Sequence, residues 1–376
     1  MPKKKAKDES AQASVPNLHE VILGSKVRRQ LHQSALTMLE DCGMRFYYRY
    51  VLGEKTKPNA FVAVGSATHA IVRRDLDSKI DTGELLPDEA IEDLASDAFT
   101  KAWESEEIVL EEDERASGLT IKEVRKRSKD KTLTLTTLHH AECAPTLRPV
   151  ATEQQFCLDL DPFLRQRAKK LHAMAEDSQS SYDRKMLHAM AAACNAIARE
   201  GLDLAGTLDV REQYVSSTDQ RSLYQPEETI ITIRDTKTSG KSPTASIADQ
   251  IRAGKPIAEV KAGMADDSLQ LTLYALATQV TEGRLPDFVA LDYLVQTQKK
   301  DGSLGSTYYV PTYSVRTAED VEVELNRVVN AAHVLHTGVF TPANPTWWGC
   351  SKKWCGYWER CEYAKKPKLV QIGDVR

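Results

Sequence analysis

Asp235 and Lys237 are the residues whose types and spacing first suggest chemistry. They close an apolar run, residues 227–239 (EETIITIRDTKTS). As a β-strand this run puts Ile231, Ile233, Asp235 and Lys237 on one face, because side chains alternate with period two. A carboxylate there can hold a hard divalent cation. The ammonium two residues on can sit beside an attacking water or a scissile phosphate, the arrangement that metal-assisted phosphodiester hydrolysis needs. Asp77-Ser78-Lys79 and Glu259-Val260-Lys261 share the spacing but end no alternating apolar run. The plain alternative for Asp235 and Lys237 is a solvated ion pair, since charged side chains mostly lie at the surface.

A second carboxylate answers the first. Residues 204–215 (LAGTLDVREQYV) read as a strand with Asp209 at its middle, and Gly206 allows a close backbone approach. The link 216–228 carries hairpin-like turn residues, so the two strands are expected to be antiparallel neighbours. Pairing them brings Asp209 and Asp235 together, and two such carboxylates repel unless a cation lies between them. Residues 267–280 (DSLQLTLYALATQV) read as a helix with Gln270 and Tyr274 on one face; a helix packed on a sheet has the same pattern. His69 is expected one turn into a helix that follows Gly65. A neutral imidazole there can bind a metal or serve as a hydrogen-bonded structural residue. Glu153 lies on a strand expected from Pro149 onward.

The elements that must position these residues alternate as helix, strands, helix and strand, which gives an α/β or α+β domain with a mixed central β-sheet flanked by helices. The first is a helix over residues 34–53, carrying Cys42 and the aromatics Phe46, Tyr47, Tyr48 and Tyr50, read as core. Strands over 287–298 and 306–315 and a helix over 318–338 follow later. Residues 81–150 and 161–200 read as helical insertions, the second a long helical segment from Phe163 to Arg199. Residues 1–17 read as a disordered basic tail without the apolar core of a secretory signal, and 365–376 as a second tail. The body is expected to be one domain over 18–364.

Net charge of −4 argues against a protein that coats nucleic acid non-specifically, but not against a nuclease with a local basic surface. Residues 122–131 (KEVRKRSKDK) offer such a surface, or a solvated helix face. No run of about twenty apolar residues is present, so no membrane span is expected. Seven cysteines without an export signal suggest a reducing, cytoplasmic compartment, where metal binding explains a cluster better than disulfides do. Cys143, Cys157 and Cys194 read as buried small hydrophobes. Cys350, Cys355 and Cys361 bunch in residues 345–364. Three thiolates so spaced can grip a metal centre if Cys42 supplies the fourth ligand, clipping the N- and C-terminal parts together.

Taken in order, these islands resemble the PD-(D/E)XK nuclease superfamily. Within it they resemble the RecB-like exonucleases that carry an iron-sulfur cluster, such as the AddB nuclease domain and the CRISPR-associated exonucleases. The resemblance runs from Ser34 to Cys361. Cys42 with RFYYRYVLG resembles the first cluster cysteine and its aromatic helix, and His69 in GSATH the family histidine. Asp209 in GTLD and Asp235-Thr236-Lys237 resemble the two catalytic motifs, Gln270 and Tyr274 the helical Gln-x-x-x-Tyr motif, and Cys350, Cys355 and Cys361 the closing triplet. Two departures stand out. Four residues separate Cys350 from Cys355 where the family usually has two, and Leu208 stands where a proline is common.

The resemblance implies a restriction-endonuclease-like core and a single-strand DNA exonuclease of repair, recombination or phage DNA processing, bacterial or phage-encoded. His69, Asp209, Asp235 and the Thr236 carbonyl would bind Mg²⁺ or Mn²⁺. Lys237 would activate the water, Gln270 and Tyr274 would position Lys237 or the DNA, and Glu153 would be an accessory acid. Cys42, Cys350, Cys355 and Cys361 would hold a 4Fe-4S cluster, though zinc would use the same ligands. No GxxxxGK[ST] sequence is present, so a helicase partner would supply any motor. The competing readings are a non-catalytic DNA- or protein-binding module and an endonuclease of the same fold.

Overall fold

The computed structural model describes residues 29–215, 229–240, 265–298 and 304–364. The two tails, the link 216–228 and Glu259-Val260-Lys261 lie outside these. In chain order the longer elements are β1 (Arg29–His32), α1 (Gln33–Asp41), α2 (Ala60–Thr82), α3 (Asp88–Glu104), α4 (Ile121–Leu138), β2 (Pro149–Asp159), α5 (Asp161–Asp177) and α6 (Ser181–Glu200). They continue with β3 (Leu202–Val215), β4 (Thr229–Ser239), α7 (Leu269–Glu282), β5 (Phe288–Gln298), β6 (Leu304–Ser314) and α8 (Ala318–Thr337). None of the helices is long and apolar enough to cross a membrane among the described residues. The chain divides into two compact units. The larger holds Lys57–Asp159 and Leu204–Asn330; the smaller holds Met1–Thr56, Leu160–Asp203 and Ala331–Arg376.

The larger unit is built on a mixed sheet, with strand order β3-β4-β5-β6 and β2 paired to β3. β3 and β4 are antiparallel, β4 and β5 parallel, and β5 and β6 antiparallel. The parallel step is possible because α7 supplies the crossover between β4 and β5. β6 ends this order, which is where Pro311 can sit without breaking a ladder. β4 is buried without interruption from Ile230 to Thr236, not on alternate residues. It is paired along both edges and packed by α2 and α7, so neither face meets water.

Three helices cover this sheet. Ala60, Ala63, Val64 and Ala67 of α2 form one core with Phe99 and Trp103 of α3, Val124, Leu135 and Leu138 of α4, and Leu294 of β5. The apolar face of α2 begins at Ala60, and the Asn59 side chain caps it by accepting from the Phe61 amide at 3.1 Å. The helix therefore starts five residues before Gly65, and His69 lies well inside it. At the C-terminal end of α4 a single π-turn over His139–Cys143 presents His140 between Asp75 of α2, at 2.8 Å, and Asp88 of α3, at 2.9 Å.

In the smaller unit the helix expected over 34–53 is broken. Cys42 is extended, with φ −164 and ψ 108, between α1 and a short helix Gly43–Phe46 that runs into a π-turn Tyr47–Val51. The cause is close packing. The Gly43 amide donates to the Thr341 carbonyl at 2.8 Å, and a Cβ on Gly43 would lie 2.7 Å from that oxygen. The long helical segment expected from Phe163 to Arg199 is made of two helices, α5 and α6. They part at residues 178–180, where the Ser180 hydroxyl caps α6 through the Asp183 amide. Cys143 and Cys194 are buried as expected, but Cys157 is exposed, because it falls on an open position of β2.

Candidate active site

The register of β3 and β4 runs from Val215–Thr229 to Val210–Arg234, and the next residues of the two strands are Asp209 and Asp235. Thr236 ties them further, its amide donating to Asp209 Oδ2 at 3.2 Å. From α2, His69 Nδ1 reaches within 3.2 Å of the same oxygen. From β2, Glu153 completes a trio with His69 and Asp209 whose ligand atoms all lie within 4.8 Å of one another. Among the described residues this is the one such trio of metal-binding side chains. Glu153 gets there through a left-handed backbone, φ 47, which no other described non-glycine residue adopts.

Lys237 and Asp235 meet across Gln270 of α7. Gln270 Oε1 accepts from Lys237 Nζ at 2.8 Å, while its amide nitrogen donates to Asp235 Oδ1 at 2.8 Å and to the Tyr274 hydroxyl at 2.5 Å. Lys237 Nζ also lies 2.6 Å from Asp235 Oδ2, pairing its charge with the buried carboxylate. Tyr274 is held in turn by the Phe156 ring, edge to face at 6.2 Å. Gly206 is what lets Phe156 lie there: a Cβ at 206 would sit 2.5 Å from the ring. Both ends of α7 are pinned. Arg316 donates to the Ala265 carbonyl at 2.5 Å and to Thr272 Oγ1 at 2.7 Å, and Arg211 grips Glu282 with two bonds of 2.8 and 2.9 Å.

The electrostatics are those of a site short of positive charge. Burial and the charge of Asp209 push the Asp235 carboxyl up to about 7, against the pull of Lys237. Burial would raise Asp209 too, but the hydrogen bond and charge of His69 hold it below the usual carboxylate range. Burial would lower His69, yet Asp209 raises it above the ordinary imidazole value. Burial and Asp209 also raise Glu153. The buried Asp235 carboxylate and that of Asp209 on the adjacent strand, beside a histidine and a third acid, suit a hard divalent cation, which oxygen and imidazole ligands favour.

Two features had no signal in the sequence. Arg211 and Arg316 act across 71 and 44 residues. Behind the site, buried Arg234 joins Glu212 of β3, Asp292 of β5 at 2.9 Å and the Tyr313 hydroxyl of β6 at 2.8 Å, stapling the strands that carry the carboxylates.

In the smaller unit Cys42, Cys350, Cys355 and Cys361, all free thiols, line a single cavity of about 380 Å³ counting its open mouth. The Ala343 amide donates to Cys42 Sγ at 3.3 Å. Buried Tyr48 stacks on Tyr357 beside it, at 5.2 Å. Burial and neighbouring thiols push Cys350 and Cys355 up, so a cation must displace protons to bind.

A comparison with curated proteins finds no match. The family model of the PD-(D/E)XK nuclease superfamily matches residues 30–362, a span that takes in every candidate residue of both sites. The chain belongs to the PD-(D/E)XK nuclease superfamily, metal-dependent hydrolytic nucleases that act on DNA.

Proposed function

We propose that the chain is a Mg²⁺- or Mn²⁺-dependent exonuclease of single-stranded DNA, RecB-like in kind, with a 4Fe-4S cluster at its four cysteines. The observation that carries the nuclease reading is the convergence of His69, Glu153 and Asp209, with Asp235 on the neighbouring strand beside a lysine held by Gln270. These four side chains, with the Thr236 carbonyl, would hold the divalent cation. When bound, such a cation neutralises charge on the phosphoryl oxygens and lowers the pKa of water. Lys237 orients the attacking water or the scissile phosphate. Gln270 fixes its ammonium group, and Tyr274 fixes Gln270.

The preference for single strands with free ends rests on the resemblance of the cysteine pattern to exonucleases of repair, recombination or phage DNA processing. A helicase or recombination partner belongs to the same reading. The choice of a 4Fe-4S cluster rests on the same resemblance, and zinc would use the same four ligands.

The test is cleavage of 5′- and 3′-labelled single-stranded, duplex and circular single-stranded DNA by anaerobically purified protein, with and without Mg²⁺ or Mn²⁺. Cation-dependent loss of linear but not circular strands is expected. Lys237→Ala is expected to abolish it, by about a hundredfold or more, while DNA binding and the visible absorbance of the cluster remain. A Lys237→Ala protein that cuts at the parental rate would sink the assignment. Cutting of the circle would make the enzyme an endonuclease, and no cutting under any metal would leave a binding module.

A further inference from the structure

The segment that carries three of the cysteines has two faces. Gly349, Cys350, Cys355 and Cys361 line the thiol cavity, whereas Trp348 and Trp354 turn outward and are 66% and 54% exposed. Their rings meet edge to face with centroids 5.5 Å apart, and Trp347, which itself lines the cavity, lies 5.3 Å from Trp348. Lys353 Nζ lies 5.5 Å from the Trp354 ring centroid. Lys352, 3.5 Å from Glu359, is also largely in solvent. Large aromatic rings left in water, adjacent to one another, mark a binding surface more than an accident of packing.

We propose that Trp348 and Trp354, with Lys352 and Lys353 between them in sequence, form a stacking platform for the bases of single-stranded DNA. The chemistry selects this occupant. Exposed flat rings offer a π face that any unpaired base can cover, and interleaved ammonium groups follow the phosphates, the combination by which single strands are bound without regard to sequence. A duplex keeps its base faces stacked inside and cannot use the rings. A protein partner fits less well, because lysine is depleted in protein interfaces where tryptophan is enriched. The Lys352–Glu359 pair is exposed on both sides and exchanges readily for a phosphate. The same short turns carry thiols inward and indoles outward, so filling the cavity also sets the spacing of the platform. The identity of the ligand rests on the proposed action on single strands.

The test uses the full chain with its cysteine site filled and no added divalent cation, so that nothing is cut. Anisotropy of fluorescein-labelled oligothymidylate and of a labelled blunt duplex reports binding. Trp348→Ala and Trp354→Ala are each expected to raise the single-strand Kd at least about fivefold, and to leave duplex affinity within about twofold. Trp354→Phe should restore most of the loss and Trp354→Leu little of it. Oligothymidylate should also quench the intrinsic tryptophan fluorescence of the unmutated protein, a readout that needs no variant to fold. Single-strand affinities within about twofold of parent for both alanine variants, or no quenching, overturn the platform and point to a protein partner. Cleavage, measured separately, keeps the two readings apart. A parent that cuts nothing but binds through its tryptophans loses the nuclease reading alone. A parent that cuts while its tryptophans prove indifferent loses the platform alone.

Discussion

The acidic site and the thiol cavity are built on opposite plans. The first takes His69, Glu153, Asp209, Asp235 and Gln270 from α2, β2, β3, β4 and α7, elements already fixed by the core and by the Arg211 and Arg316 anchors. The second takes three of its four sulfurs from residues 350–361, a run of tight turns with no helix or strand of its own. Packing positions the ligands in one, and a metal centre is an addition to it. In the other, a small cluster of Tyr48, Tyr357, Cys355 and Cys361 and the turns' own hydrogen bonds hold the segment, and on the proposed reading a metal centre would add to them, because metal binding and folding are coupled. Loss of a ligand should therefore cost chemistry in the first region and structure in the second.

The sharpest way to break this contrast is to remove one ligand from each. Asp235→Asn is expected to lower cleavage by a hundredfold or more, at roughly 3–4 kcal/mol of transition-state stabilisation. It should leave the melting temperature of the cation-free protein unchanged or raised, since it relieves a buried like-charge pair. Cys355→Ala should do the reverse: lose visible absorbance and iron, and melt well below the parent. Calorimetry beside iron analysis reads both. An Asp235→Asn protein that unfolds, or a Cys355→Ala protein with parental melting and full metal content, would erase the distinction.

The same contrast explains what was legible in the sequence. Asp235, Lys237, Gln270 and Tyr274 announce themselves locally, through an apolar run ended by Asp-x-Lys and through helical spacing, and the structure joins all four through one amide. Asp209 follows because antiparallel pairing is a local consequence of the strands. The break at Cys42 was not legible, since it comes from contact with Thr341, roughly three hundred positions away. Nor was the start of α2, where the core face outran the glycine signal at Gly65. Glu153 lay on a legible strand, but its carboxylate reaches His69 and Asp209 through a backbone conformation that residue type does not encode.

Proton linkage sharpens the comparison from the acidic side. The Asp235 carboxyl, at about 7 in the folded chain and near 3.8 unfolded, binds more protons in the native state between those values. Stability of the cation-free protein therefore falls as pH rises across that window, the opposite of an ordinary paired aspartate. Saturating Mn²⁺ should reverse the slope, because the cation competes with the proton. Thermal melts from pH 4 to 7, with and without Mn²⁺, measure it, and Asp235→Asn should flatten the cation-free slope. A parent whose cation-free stability rises steadily with pH would show that Asp235 is ionised without help.

The smallest effect isolates the strain. Glu153 at φ 47 occupies a region that costs a side chain with a Cβ roughly 1–2 kcal/mol, and glycine almost nothing. Glycine loses part of that advantage to its larger unfolded-state entropy. Glu153→Gly should thus stabilise the cation-free protein by up to about 1 kcal/mol, while Glu153→Gln keeps the strain and only removes the charge. Both should impair cleavage, because both remove the carboxylate from the trio with His69 and Asp209. Denaturant melts of the two variants separate the terms. If Gly is no more stable than Gln, the strain stored at 153 is no larger than glycine's unfolded-state entropy cost. If Gly is the more stable of the two yet cuts poorly, the fold is holding Glu153 against its own backbone preference to complete the acidic site.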